Sequence, residues 1–348
     1  MVGDGAPCFV TLEAGPTHDG LESAMRLVKH AAAAGADAVK FQMVDPDRLV
    51  ADRTLPFSYE VLADRASGRT ETVTELLYDI LQRRYLSRAE WRELKRCSDR
   101  LGLAFFATAL FDDEIDFLVE LGCQSVKIAS ADINHVPLLR KAARSGLCMQ
   151  IDTGNASIGE IEAAIDVIRA EGNENIIIHH CPSGYPARLD SINLNVIPTL
   201  KRMFPYPVAF SDHTPGWEMD IAALALGANL VEKTITESRT TRSIEHIMSL
   251  EPAEMAAFVR VIRDVEKALG SPRRILHEAE RQNRMRNRRS VYLAAPARRG
   301  QRLGDAAVEF RRPGYGVGPD LYETLLDATF KTDLPAGHRL ALTDLDGK

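Results

Sequence analysis

Short apolar runs alternate along the chain with longer segments whose apolar positions recur at helical spacing. The first run, Phe9-Val10-Thr11-Leu12, ends in Glu13-Ala14-Gly15, and Leu21, Met25, Val28 and Ala32 then share one helical face. Gly35 stands where a helix C-cap glycine belongs, and Ala36-Asp37-Ala38-Val39-Lys40-Phe41 follows as a short buried strand with a lysine near its end. The phrase returns at Leu121-Gly122-Cys123-Gln124-Ser125-Val126-Lys127-Ile128 and at Leu226-Gly227-Ala228-Asn229-Leu230-Val231-Glu232-Lys233. Related starts occur at Leu101-Gly102-Leu103-Ala104 and Ser145-Gly146-Leu147-Cys148. A helix-ending glycine followed by a short apolar strand is the punctuation of repeated αβ units.

The pattern predicts eight strands, near 9–13, 37–41, 104–108, 125–129, 147–152, 175–180, 207–211 and 229–233, with a last helix near 252–269. Eight such units over roughly 260 residues match an α/β fold closed as a (β/α)8 barrel. An open doubly wound sheet is the competitor, but no Gly-x-Gly-x-x-Gly follows the first strand. The segment from Asp45 to Tyr85 is long for a βα loop and predicts local helix and a lid over the barrel mouth. After Leu269-Gly270-Ser271-Pro272 the pattern changes. The expected organisation is a barrel over 1–270, a linker over 271–288 and a small, mostly β module over 289–348. In that module Gly300-Gln301-Arg302-Leu303 and Gly337-His338-Arg339-Leu340 resemble each other, each after a Pro-Ala pair.

Composition changes this picture little. Apolar residues at 45% and charged residues at 26% of the 348 are those of a globular protein with a sizeable core. No stretch approaches the roughly 18 apolar residues of a membrane span, and Met1 to Pro7 lack the pattern of a signal peptide. Five scattered cysteines without CxxC spacing argue against a disulfide frame or structural zinc and fit a reducing cytoplasm. The net charge of −6 gives no support for nucleic-acid binding. Ten arginines between Arg281 and Arg312 form either a solvated linker or a segment that docks on acidic surface or serves an anionic substrate.

In a barrel of this kind the site lies at the C-terminal strand ends. The residues expected there are Glu13, Lys40, Gln42, Thr108, Lys127, Ser130, Asp152, His180, Ser211, Asp212, His213, Glu232 and Lys233. Lysines converging with serine and threonine hydroxyls suit a phosphate and a carboxylate, and Lys40, Lys127 and Lys233 read as one phase of the repeat. His213, flanked by Asp212, can serve as a metal ligand or proton carrier, or can be tied into a loop hydrogen bond. Of His179 and His180 only one can face inward, because strand side chains alternate. Glu245-His246 reads as part of a loop that ends where Glu251-Pro252 opens the last helix.

These residues resemble motifs of the N-acetylneuraminate synthase family. The resemblance rests on Glu13-Ala14-Gly15 with His18 and Gly20, Lys40-Phe41-Gln42, Lys127-Ile128-Ala129-Ser130 and Thr153-Gly154. It continues through His180-Cys181 with Tyr185-Pro186, Asn193-Leu194, Ser211-Asp212-His213, Glu232-Lys233 and Ser249-Leu250-Glu251-Pro252. Arg312-Pro313-Gly314-Tyr315-Gly316 in the tail resembles the family's antifreeze-like (SAF) domain. The resemblance implies condensation of phosphoenolpyruvate with an open-chain N-acyl amino sugar aldehyde, releasing phosphate and giving a 2-keto-3-deoxy sugar acid. It implies a divalent metal, manganese or magnesium, and a domain-swapped homodimer. By it, Lys40, Thr108, Lys127, Ser130 and Ser211 hold phosphoenolpyruvate, and Glu13 acts near the reacting carbons. His213 binds the metal, and Arg312 of a neighbouring chain touches the sugar's acyl group.

Departures fall mainly on the sugar side. Thr234 stands where the resemblance implies a second metal histidine, so either His246 or Glu245 substitutes or the reaction proceeds without tight metal. Asp152 replaces a serine beside the phosphate, where a carboxylate repels unless a lysine or metal compensates. Thr17, Asp132, Ser183 and Glu245 replace asparagine, glutamate, asparagine and aspartate respectively. With Gln42, Tyr185, Asp212 and Lys233, these positions complete the expected substrate pocket. Two other readings stay open: a different condensation or aldolase-type reaction, without metal, and a non-enzymatic protein that binds a sugar acid.

Overall fold

A computed structural model describes residues 2–347. The chain forms two compact units, Met1–Gly270 and Ser271–Lys348. The first carries ten strands: β1 Phe9–Glu13, β2 Ala38–Gln42, β3 Pro56–Asp64, β4 Arg69–Leu76, β5 Ala104–Thr108, β6 Ser125–Ile128, β7 Cys148–Asp152, β8 Ile176–His180, β9 Val208–Asp212 and β10 Leu230–Thr234. Eight of them close in the order β1-β10-β9-β8-β7-β6-β5-β2, all parallel. This is the (β/α)8 barrel that the repeated phrase predicts.

Two-residue alternation gives each strand an outer and an inner face. Val10, Leu12, Val39, Phe41, Val126, Ile128, Met149, Ile151, Ile178, Phe210 and Val231 belong to the core shared with the surrounding helices. Each such side chain contributes roughly 1.5–3 kcal/mol when fully buried. Helix Leu21–Ala34 supplies Ala24, Leu27, Val28 and Ala31 from one face and stops at Gly35, whose φ of 78° lies in the left-handed region. Gly122 and Gly227 stand at the same point of their units with positive φ. A separate cluster, Ile177, Ala209 and Leu230 with Phe9 and Cys148, uses the inner face at the N-terminal end. Inner positions farther along the strands are polar.

The segment from Asp45 to Tyr85 contains the expected local helix, together with two strands that the sequence pattern was not expected to form. Short helices Pro46–Leu49 and Leu77–Gln82 flank an antiparallel hairpin of β3 and β4. Tyr59, Val61, Val73 and Ile80 make its own small core with Ile244. Alternating β-branched and aromatic residues in both arms favour strand over helix here. Arg65–Glu251 and Arg242–Glu71 ion pairs join the hairpin to the region after β10.

In the second unit, the residues expected as a linker include helix Glu278–Asn287. Two small antiparallel pairs follow, Ser290–Leu293 with Val308–Arg311 and Thr329–Phe330 with Leu345–Asp346. Val291, Leu293, Leu303, Val317, Phe330 and Leu340 form their core. The two resembling phrases make equivalent turns, with Gly300 and Gly337 both at φ 79°. Among the described residues no helix is long and apolar enough to cross a membrane.

Candidate active site

The inner face of the barrel gathers its charges around Glu232. Glu232 Oε1 accepts from Lys127 Nζ at 2.6 Å, Lys40 Nζ at 2.8 Å and Ser211 Oγ at 2.9 Å. Both lysines are buried; Lys127 is fully so. Lys40 also pairs with Glu13, and Lys127 Nζ lies 3.0 Å from Asp152 Oδ1. Glu232 is held well below the usual carboxylate range: burial opposes its charge, but the two ammonium groups outweigh it. Lys40 is correspondingly held above its ordinary range by Glu13 and Glu232 against burial.

Above this layer lies a cavity of about 140 Å³. Of the predicted residues, Glu13, Lys40, Gln42, Thr108, Ser130, Asp152, Tyr185, Ser211, His213 and Glu245 line it. Lys127 sits directly beneath, through its contacts with Glu232 and Asp152. The Glu-Ala-Gly turn is shaped for the site. Gly15 N–H donates to Glu13 Oε1 at 2.6 Å, and a Cβ on Gly15 would lie 2.7 Å from the Gln42 backbone nitrogen. At Gly154 a Cβ would lie 2.8 Å from Cys181 O and 3.2 Å from Ser130 Oγ. Glu245 is half-buried in the wall with its pKa raised to about 8, first by desolvation and then by Glu13. Its φ of 65° is unusual for a non-glycine residue. The hairpin cluster packs against neighbouring Ile244 and steadies that turn.

Other expected residues lie elsewhere. Asp212 and Lys233 are correctly placed in sequence but face outward: Lys233 pairs with Asp212 and lies 3.8 Å from Asp220 on helix Glu218–Ala225. The phase explains this. Lys40 and Lys127 stand five residues after Gly35 and Gly122, and the fifth residue after Gly227 is Glu232, not Lys233. His179 rather than His180 faces inward; His180 Nε2 meets Ile192 O at 2.6 Å. Asp132 is half-buried on the turn after Ser130, outside the cavity wall, and Ser183 is exposed, donating to Asn155 Oδ1. Arg312 is exposed in the second unit.

The metal set implied by the resemblance does not fit these side chains. His213 shares its Nδ1 with Pro182 O at 3.1 Å, and burial lowers its pKa to about 4, so its neutral ring presents Nε2 to the pocket. Thr234 offers no imidazole, His246 turns its Nδ1 to Thr236 Oγ1 at 2.7 Å, and of the two expected substitutes only Glu245 stands in the cavity wall with His213. Among the described residues no group of three His, Cys, Asp or Glu side chains is arranged to hold a metal. Glu232 is expected at the barrel mouth but without a binding role, whereas Cys181 in the cavity wall and Gln150 beneath it are not expected there. The glycine-plus-five spacing was the signal for Glu232; Cys181 and Gln150 carried none.

Fold and cluster together define a (β/α)8-barrel protein with two buried lysines and three carboxylates gathered at the C-terminal mouth. The chain belongs to the NeuB family, whose model matches residues 27–274. It is 33% identical over 343 residues to the N,N'-diacetyllegionaminic acid synthase of Legionella pneumophila, covering 97% of this chain and 94% of that one. It is 33% identical over 283 residues to human N-acetylneuraminate-9-phosphate synthase, covering 80% and 76%. A crystal structure of N-acetylneuraminic acid (sialic acid) synthetase from Leptospira borgpetersenii in complex with citrate superposes with a TM-score of 0.70 at 31% identity, covering 81% of this chain and 92% of that one.

Proposed function

We propose that this chain is a transferase that condenses phosphoenolpyruvate with a sugar aldehyde, giving a 2-keto-3-deoxy sugar acid and inorganic phosphate. The observation that carries the reading is the meeting of Lys40 and Lys127 on Glu232 beneath a cavity lined by Thr108, Ser130 and Ser211. Two buried ammonium groups and three hydroxyls suit a small molecule bearing both carboxylate and phosphate. The names of the relatives, an N,N'-diacetyllegionaminic acid synthase and an N-acetylneuraminate-9-phosphate synthase, support the same class of reaction.

In this reading an enol phosphate, an aldehyde and one water become a keto acid, a new carbon–carbon bond and free phosphate. Glu13, fixed by Gly15 N–H and Lys40 beside the cavity, is the group to orient that water or take its proton. His213 Nε2, Tyr185 and Glu245 face the aldehyde side. The protein is expected to work as a cytoplasmic homodimer; a monomer by light scattering at micromolar concentration would count against the dimer.

The test is release of inorganic phosphate from phosphoenolpyruvate, against a panel of aldoses and N-acyl hexosamines with and without manganese. Phosphate release that depends on one aldehyde class supports the reading. No release with any aldehyde, together with no phosphoenolpyruvate binding by calorimetry, overturns it.

A further inference from the structure

Five ionisable groups crowd the inner face of the barrel: Lys40 and Lys127 against Glu13, Glu232 and Asp152. Two ammonium groups balance only two carboxylates, and an anionic substrate brings more negative charge still. A third ionised carboxyl in this dry layer has no counter-charge. One of the three therefore keeps a proton, and hydrogen bonding indicates which. Glu232 has three donors, Lys40, Lys127 and Ser211, all on Oε1, while its Oε2 has none. Glu13 has Lys40, Gly15 N–H and, at 3.5 Å, Gln42 Nε2. Asp152 has Lys127 alone, and its Oδ1 makes no well-directed hydrogen bond.

The neighbour of Asp152 is prepared for an acid. Ser125 Oγ donates to Cys148 O at 2.9 Å, so it must accept from Gln150 Nε2 at 2.8 Å. That fixes the Gln150 amide with its oxygen toward His179 Nε2, 2.8 Å away, which must then carry the ring proton. His179 is fully buried and held neutral, chiefly by burial and then by Lys127. Its Nδ1 is thus a bare lone pair without a partner, and it faces Asp152 Oδ1 at 3.8 Å. An ionised Asp152 would set two lone pairs against each other; a protonated one supplies the missing donor after a small rotation. Burial pushes Asp152 in the same direction, against Lys127.

We propose that Asp152 is carried as a neutral acid whose proton is held by His179 Nδ1, and that the site takes its anionic substrate only in that state. His179 is then a positioning residue, set by Gln150 and Ser125. The inference rests on the reading above for the identity of the anion, but not for the state of the acid. The groups that act on Asp152 from surrounding elements are Lys127, Lys40, Glu232 and His179, with Cys181 and Tyr185 feeling its charge.

Two measurements test it. Infrared difference spectroscopy of substrate-free wild type against Asp152→Asn at neutral pH should show the carbonyl band of a protonated carboxyl lost in the variant. Its absence overturns the proposal whatever the substrate is. Calorimetric binding of phosphoenolpyruvate is then followed from about pH 5 to about pH 9 for wild type, Asp152→Asn, Asp152→Ser and His179→Phe. The ligand's own ionisation cancels in the ratio of dissociation constants. The ratio of wild-type to Asp152→Asn dissociation constants should rise with pH, by roughly tenfold per unit past the wild-type midpoint, with Asp152→Ser following Asp152→Asn, and the His179→Phe protein should lose affinity at lower pH than wild type. An Asp152→Asn profile that falls with pH as wild type does over a range where wild type loses affinity, or a His179→Phe profile that overlays wild type, overturns the proposal. Failure of all four proteins to bind phosphoenolpyruvate at any pH sinks the assigned substrate instead, leaving the infrared result to judge Asp152.

Discussion

Lys233→Met separates the lysine that builds the wall from the two on the inner face of the barrel. Lys233 is fully buried between the barrel and helix Glu218–Ala225, where its ammonium meets Asp212, donates to Thr214 O and lies 3.8 Å from Asp220. Asp220 is held well above the usual carboxylate range, by burial and then by Asp212, and neither of its oxygens has a hydrogen-bond partner. Removing the ammonium leaves Asp212 charged and without its counter-ion beside a second carboxyl. Breaking such a buried pair from one side costs about 3–5 kcal/mol. At a urea slope of about 3 kcal/mol per M, the unfolding midpoint should fall by roughly 1–2 M. Phosphoenolpyruvate affinity of the folded variant should stay within about threefold of wild type, since Lys233 faces away from the cavity. Lys127→Met should instead weaken binding by roughly tenfold or more, as one charged hydrogen bond is worth about 1.5–3 kcal/mol. An unchanged midpoint for Lys233→Met, combined with a tenfold loss of affinity, would refute the assignment of inner and outer faces.

Glu114 gives a pH signature remote from the cavity. Burial raises its pKa to about 7, so the folded state keeps a proton that the unfolded state releases nearer 4.5. Its stabilising contribution is complete below about pH 4.5 and is lost as pH rises to about 7, by about 3 kcal/mol. Glu114→Gln should flatten that decline in denaturation midpoints between those pH values; an unaltered slope would count against it. Gly15→Ala should displace Glu13 or Gln42, because the new Cβ would lie 2.7 Å from Gln42 N and 2.8 Å from Glu13 Oε1. The expected result is a loss of about 1–3 kcal/mol in stability and at least tenfold in phosphate release, and wild-type turnover would contradict it. Thr234→His restores an imidazole on the inner face shared with Glu232, and calorimetry should show manganese binding about tenfold tighter or more. Equal manganese affinity would mean that position 234 does not reach the ion.

The barrel was legible because its signal is repeated. Several glycine-ended helices, each followed by a short apolar strand, fix both the count of strands and the C-terminal rim. Which side chain at a strand end faces inward is a finer question, because a one-residue slip exchanges the two faces. For β2 and β6 the lysine is flanked by apolar residues, Val39 and Phe41 or Val126 and Ile128, so the phase is clear. In β10 Glu232 and Lys233 are adjacent, and both are buried. Residue chemistry alone favours Lys233 as the anion binder, whereas the spacing from Gly227 favours Glu232 for the inner position. The structure follows the spacing. A cation one position out of phase becomes part of the wall, and an acid in phase becomes the hub on which both inner-face lysines meet. The same limit applies to His179 and His180. The hairpin between β2 and helix Leu77–Gln82 escaped because its alternating pattern was read within a long loop rather than as two strands. Asp152 was legible as a departure, but its meaning depends on Gln150, His179 and Ser125, which the fold brings together from three strands. Local sequence carries the phase of one strand; the protonation state of a carboxyl is decided by neighbours that only the closed barrel supplies.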